Sequence, residues 1–203
     1  MKIQLILSGH GGQGVLELAN YIAYYELQKG RHVAYTPSYG PESRGGKVKC
    51  YVVASDEDID SPVVEEPDCL IVMNNPSMDF VPLLKSGGIL FMNSSLISGS
   101  PERGDVITFK VPATEIADRL KQQTFEGIQD TRIVANSVMF GAYLSLVHHE
   151  FNEEDVKTVF GHFLKDRKSI YIPLNLEAAR QGFQFERNNQ NVPASAQVME
   201  SYV

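Results

Sequence analysis

The segment Gly9-His10-Gly11-Gly12-Gln13-Gly14 constrains this chain more than any other. It follows a short apolar run, Ile3 to Leu7, that ends in Ser8-Gly9. It precedes a stretch in which Val15, Leu18, Ala19, Ile22, Ala23 and Leu27 recur at intervals of three and four until Gly30. That pattern predicts a buried strand, a glycine loop and an amphipathic helix. A G-x-G-x-x-G in this setting suits a phosphate, because glycines let the backbone turn tightly and approach closely, and the helix N-terminus offers free N–H groups at the positive end of its dipole. The dinucleotide version also requires an acid about 20 residues on, at the end of the second strand, to hold a ribose. Here His32 to Tyr35 is the second strand, it leads into Thr36-Pro37-Ser38, and the first acid, Glu42, lies inside a further loop. An NAD(P)-dependent dehydrogenase is therefore disfavoured. The glycines remain open to another phosphate ligand, to tight helix–sheet packing, or to contact with a partner in a scaffold that binds no nucleotide.

The rest of the chain alternates between the two periodicities. Thr36 to Gly46 reads as a long Pro/Gly loop, of the kind that is functional or interfacial in compact domains,. Lys47 to Ala54 begins as a Lys/apolar alternation, which predicts a strand with one face nearer solvent, antiparallel at a sheet edge,. Cys69 to Met73 is continuously apolar, as in a parallel strand covered on both faces,. Asn74-Asn75-Pro76 opens a helix, Gly87-Gly88 turns into a strand over Ile89 to Met92, and Val106 to Val111 is one more strand before a short helix from Ala113 to Leu120. Asn93-Ser94-Ser95 lies at a strand's C-terminal end, where open α/β sheets place ligands,. Ile133 to Val147 is apolar nearly all round, so it is either a core helix or one that faces a partner,. Asn152 caps a helix with an acidic first turn, and Asn175 is expected to cap another after Pro173,. The order of elements predicts an α/β fold, a three-layer α/β/α sandwich with a mostly parallel or mixed sheet. Residues 1–187 form one domain, and residues 188–203 a C-terminal tail without periodicity.

Charge and composition exclude several function classes. The chain of 203 residues carries 18 Lys plus Arg against 25 Asp plus Glu, a net charge of −7. A nucleic-acid footprint needs concentrated positive charge, so no nucleic-acid partner is expected. No run approaches the roughly 18 apolar residues that span a bilayer, and Met1-Lys2 leads into no secretory signal, so the chain is expected to be cytoplasmic, without a membrane partner. Cys50 and Cys69 are the only cysteines, and His10, His32, His148, His149 and His162 fall in no metal-ligand spacing. Neither an iron–sulfur cluster nor a structural zinc site can be assembled from them.

Four stretches together carry a resemblance. They are Gly9-His10-Gly11-Gly12-Gln13-Gly14-Val15, Tyr39-Gly40-Pro41-Glu42-Ser43-Arg44-Gly45-Gly46, Asp56 to Pro62, and Ala135-Asn136-Ser137-Val138-Met139-Phe140-Gly141. Over about residues 3 to 185 the chain resembles the gamma subunit, or gamma domain, of the 2-oxoacid:ferredoxin oxidoreductases, the family of the pyruvate, 2-oxoisovalerate, 2-oxoglutarate and indolepyruvate enzymes. The resemblance implies a Rossmann-like fold and a place in a complex of alpha, beta and delta-type subunits. That complex oxidatively decarboxylates a 2-oxoacid on thiamine diphosphate with Mg, passes electrons through [4Fe–4S] clusters to ferredoxin, and transfers the acyl group to coenzyme A. Both cofactors would lie on the partner subunits. This chain, not catalytic alone, would assist coenzyme A binding and assembly.

The residues implied to contact a ligand are Gly9, Gly11, Gly12, Gln13, Gly14, Tyr39, Gly40, Glu42, Arg44, Gly45 and Asn136. Coenzyme A carries a pyrophosphate and a ribose phosphate, so the N–H groups of Gly11, Gly12 and Gly14 suit it without the ribose-holding acid. Arg44 has the planar fork that pairs with phosphate or carboxylate, and Glu42 orients it or meets a neighbouring subunit. The plain alternative is that Glu42 and Arg44 pair on a solvent-exposed loop, which contributes under about 1 kcal/mol. Asn136, an amide in an apolar helix, either holds the glycine loop in shape or satisfies a neighbouring carbonyl.

Overall fold

The computed structural model describes residues 2–39, 46–120 and 134–188. The apolar opening forms strand β1 (Lys2–His10), the periodic stretch helix α1 (Val15–Gln28), and the chain returns through β2 (His32–Tyr39) and β3 (Lys47–Ser55). Strands β4 (Cys69–Val72), β5 (Ile89–Asn93) and β6 (Ile107–Val111) follow, with a 3-10 helix over Asn75–Leu83 between β4 and β5. The C-terminal part is helical: α2 (Ala113–Arg119), α3 (Ala135–Val147), α4 (Glu153–Phe163) and α5 (Ile172–Asn188).

The six strands form one mixed sheet in the order β2-β3-β1-β4-β5-β6. β1 pairs in parallel with β4 and antiparallel with β3, so Leu5 stands between Cys69 and Val52. The alternation along β1 serves two cores, which is why the strand reads as a continuous apolar run. Leu5 and Leu7 face the larger core with Tyr21, Phe140 and Phe160 from the α-helices. Ile6 faces the smaller core with Leu70, Val72, Leu90 and Met92, closed by Val64, Val81 and Ile97. The α/β class and mixed sheet are as expected, and the third layer is built from the 3-10 helix and loops rather than from α-helices.

Three sequence expectations are corrected. Strand β2 runs on through Thr36-Pro37-Ser38 to Tyr39, opposite Val48, instead of ending at Tyr35. Pro37 is tolerated because β2 is an edge strand, where a missing N–H costs no ladder bond,. β3 is antiparallel as expected but lies inside the sheet, between β2 and β1. Its Lys47/Lys49 alternation marks the face under the 3-10 helix rather than an edge, where Lys47 pairs with Asp79 and Lys49 lies over the Phe80 ring. Asn175 is not a cap: α5 already starts at Ile172, with Pro173 in its first turn where a proline fits,. The Asn175 side chain is buried, donates to the Tyr171 carbonyl (2.8 Å) and accepts from Ser137 Oγ (2.6 Å). Asn152 does cap α4, accepting from the N–H groups of Glu154 and Asp155. The tail beyond Asn188 lies outside the described residues. Among the described residues, no helix is long and apolar enough to cross a membrane.

Candidate functional site

Parallel strands β1, β4 and β5 deliver their C-terminal ends to one rim of the sheet, where the glycine loop leads from β1 into α1. Gly9 is still in the strand, and a Cβ there would lie 2.6 Å from Val15 Cγ2 and 2.8 Å from Gln13 Oε1, so loop and helix fold closely over it. Gly12 (φ 93°) and Gly14 (φ 69°) adopt left-handed conformations that other residues rarely take,. Gly14 caps α1 and its carbonyl accepts from Leu18 N–H at 2.8 Å. No side chain caps the helix. The N–H groups of Gly12, Gly14, Val15, Leu16 and Glu17 have no partner among the described residues, whereas that of Gly11 points to the Gly46 carbonyl at 3.4 Å.

Gln13 folds inward. Its Oε1 accepts from His10 N–H and from Asn74 Nδ2, both at 2.7 Å, and its Nε2 donates to the Met73 carbonyl at 3.3 Å. The residue implied as a ligand contact therefore spends most of its amide on holding the loop to the end of β4. Asn136 reaches the loop from α3, and its contact with a loop carbonyl is common to both of its readings. Its Nδ2 lies 3.4 Å from the Gly14 carbonyl and 3.3 Å from Glu17 Oε2, and a Cβ on Gly14 would sit 2.5 Å from it. Asn136 is 2 % exposed, so its contacts shape the loop from beneath.

Tyr39 ends β2 on the same rim. Gly40, Glu42, Arg44 and Gly45 lie outside the described residues, between Tyr39 and Gly46. Asn93 and Ser95 are taken up by α2: Asn93 Nδ2 donates to Thr114 Oγ1 at 3.0 Å and Ser95 Oγ accepts from Glu115 N–H at 3.0 Å. Sequence reasoning missed Asn74, which it read only as a helix opener. The same Asn-Asn-Pro signal marks the cap but not the second hydrogen bond to Gln13.

The rim thus offers a row of unpaired amide donors at the positive end of a helix, on a frame of buried polar side chains, which is chemistry for binding an anion. Among the described residues no group of three His, Cys, Asp or Glu could hold a metal ion. Cys50 and Cys69 are buried, and burial pushes the Cys50 thiol up to about 12 and the Cys69 thiol higher still, with the charge of Asp68 adding to the latter.

Residues 4–185 match the family model described as pyruvate ferredoxin/flavodoxin oxidoreductase. The ketoisovalerate oxidoreductase subunit VorA of Methanothermobacter thermautotrophicus is 34% identical over 93% of this chain, and the chain spans 37% of that relative's length. Among solved structures, the gamma subunit of a keto/oxoacid ferredoxin oxidoreductase from Geobacter sulfurreducens superposes with a TM-score of 0.75 at 25% identity, covering 93% of this chain and 98% of that one. The 2-oxoglutarate:ferredoxin oxidoreductase of Magnetococcus marinus, solved with 2-oxoglutarate, coenzyme A and succinyl-CoA bound, shares the fold with a TM-score of 0.74 at 21% identity, over 92% of this chain and 31% of that one. The chain belongs to the pyruvate ferredoxin/flavodoxin oxidoreductase family and is similar, over nearly its whole length, to a gamma subunit.

Proposed function

We propose that this chain is the gamma subunit of a multi-subunit 2-oxoacid:ferredoxin oxidoreductase, and that its glycine loop assists coenzyme A binding. The observation that carries the reading is the set of open amides of Gly12, Gly14, Val15, Leu16 and Glu17 at the N-terminus of α1. Coenzyme A brings a pyrophosphate, which such donors bind without a ribose-holding acid. A structural neighbour of the same fold was solved with coenzyme A bound. Arg44 is two positions from Gly46, whose carbonyl meets the loop at Gly11, so the same rim would gain a guanidinium suited to phosphate, with Glu42 to orient it,.

The redox chemistry belongs to partner chains of alpha, beta and delta type, with ferredoxin as the acceptor. A [4Fe–4S] cluster takes four thiolates, and this chain has two cysteines, both buried in the sheet,. The residues here do not fit the clusters, which are assigned to the partner chains together with thiamine diphosphate and its Mg. The relatives act on different 2-oxoacids by their names, ketoisovalerate and 2-oxoglutarate, so substrate choice is assigned to the partners.

The test is purification under anaerobic conditions from the native host, with assays for thiamine diphosphate, iron and coenzyme A-dependent viologen reduction on a panel of 2-oxoacids. A brown complex active on one acid is the expected result. A colourless single chain without activity overturns it. In the complex, Gly12→Val is expected to raise the KM for coenzyme A; weakened association with an unchanged KM would make the loop an assembly element instead.

A further inference from the structure

We propose that Asn74 is a positioning residue for the glycine loop, acting through Gln13; the consequence for coenzyme A rests on the function proposed above. Asn74 stands where β4 passes into the 3-10 helix, 61 positions from Gln13, and is 6 % exposed. It does two things at once. Its Oδ1 accepts from Ser77 N–H (3.1 Å) and Ser77 Oγ (2.8 Å), which caps the 3-10 helix. Its Nδ2 donates to Gln13 Oε1 (2.7 Å), which is also the acceptor for His10 N–H. Ser77 is fully buried, and its Oγ accepts in turn from Ser8 Oγ (3.0 Å) on β1. The loop is thereby tied to three elements through one connected, buried chain of polar groups.

The chain has a single direction, and that is what makes Asn74 specific. Backbone N–H groups only donate, so the N–H of Ser77 fixes Oδ1 of Asn74 and the N–H of His10 fixes Oε1 of Gln13. The amide of Asn74 must then present Nδ2 to Gln13, and Gln13 must present Nε2 to the Met73 carbonyl. A carboxylate at position 74 would set two acceptors against each other across the 2.7 Å contact. Turning the Gln13 amide to relieve this would place its NH2 against the His10 N–H. Buried polar chains are costly when any member is unsatisfied, so the loop rather than the chain would give way.

Asn74→Asp, nearly the same shape as the native residue, tests this in the full chain by hydrogen exchange and in the purified complex by steady-state kinetics. Exchange of the His10, Gly11 and Gln13 amides, the hydrogen-bonded ones of the loop, is expected to rise about tenfold or more, on the scale of one lost hydrogen bond, with β5 amides unchanged,. Ser77→Ala, which removes one of the two donors to Oδ1, is expected to give a smaller rise, about threefold, and serves if Asn74→Asp does not fold. The KM for coenzyme A is expected to rise more than kcat falls. Loop exchange unchanged in either folded variant overturns the proposal. Faster loop exchange with an unchanged KM keeps Asn74 as the positioning residue and removes coenzyme A as the loop's ligand.

Discussion

At the scale of single residues, the two left-handed glycines of the loop differ in what surrounds them. An alanine at Gly12 (φ 93°) would meet no atom within 4 Å, so it costs only the backbone conformation, about 1–2 kcal/mol,. At Gly14 (φ 69°) the same methyl would also land 2.5 Å from Asn136 Nδ2. Gly14→Ala is therefore expected to lose about 2–4 kcal/mol in urea unfolding, more than Gly12→Ala. Adding Asn136→Ala to Gly14→Ala should recover part of that loss, and a strictly additive double mutant would contradict the packing argument. The glycine spacing made the strand, loop and helix readable because those constraints are local. The inward turn of Gln13 was not readable, since its partners Met73 and Asn74 come from 60 and 61 positions away.

Elements meet most closely where α3 crosses α5. A Cβ on Gly141 would lie 1.8 Å from the Ala179 carbonyl oxygen, and one on Gly182 would lie 1.9 Å from that of Val138, so the two backbones touch without side chains between them. Gly182→Ala must push the helices apart, and is expected to cost about 3 kcal/mol or more in urea unfolding, at the upper end of overpacking effects. Gly161, on the exposed face of α4, has nothing within 4 Å of its would-be Cβ. Gly161→Ala should instead add about 0.5–1 kcal/mol by restricting the unfolded chain. A stabilising Gly182→Ala would show that the crossing is looser than its geometry. Sequence periodicity found α3, but left open whether a core or a partner covers it; every residue of α3 is buried, mostly under α5 and the sheet. It misread Asn175 for a related reason. An Asn after a Pro looks like a cap in one dimension, while Ser137, 38 positions earlier, claims its side chain across the helix pair.

Across the whole molecule, the rim of open amides stands opposite a locked end. Glu26 lies twelve residues along α1 from Gly14, about 18 Å at 1.5 Å per residue, and its side chain is fully buried,. Its Oε1 accepts from Tyr143 OH (2.6 Å) and meets His148 Nε2 (2.7 Å), both from the end of α3, while Oε2 meets Arg31 Nη1 (2.8 Å), which also faces Asp56. In the sequence Glu26 is an ordinary polar position on a helix; only chain that arrives more than a hundred residues later buries it. Burial pushes its carboxyl up, but the His148 and Tyr143 hydrogen bonds and the Arg31 charge outweigh this and hold it below the ordinary value of 4.5. Burial and the Glu26 charge push the Tyr143 hydroxyl well up, so it stays a donor. Because the folded state depresses the carboxyl, its ionised form contributes stability at all pH above the unfolded value, and that contribution is lost as pH falls through the folded value. Glu26→Ala is expected to lose about 3–5 kcal/mol at pH 7, since it takes from Arg31 its buried partner and from Tyr143 and His148 their shared acceptor,. Glu26→Gln keeps the shape without the charge, so its deficit in urea midpoint should be largest near neutral pH and shrink below about pH 4. A deficit that stayed constant down to about pH 2.5 would mean that the charge of Glu26 does not hold α1 to α3. The same titration leaves the glycine loop a separate readout, because acid that loosens the Glu26 end should speed exchange there before it reaches the His10, Gly11 and Gln13 amides,.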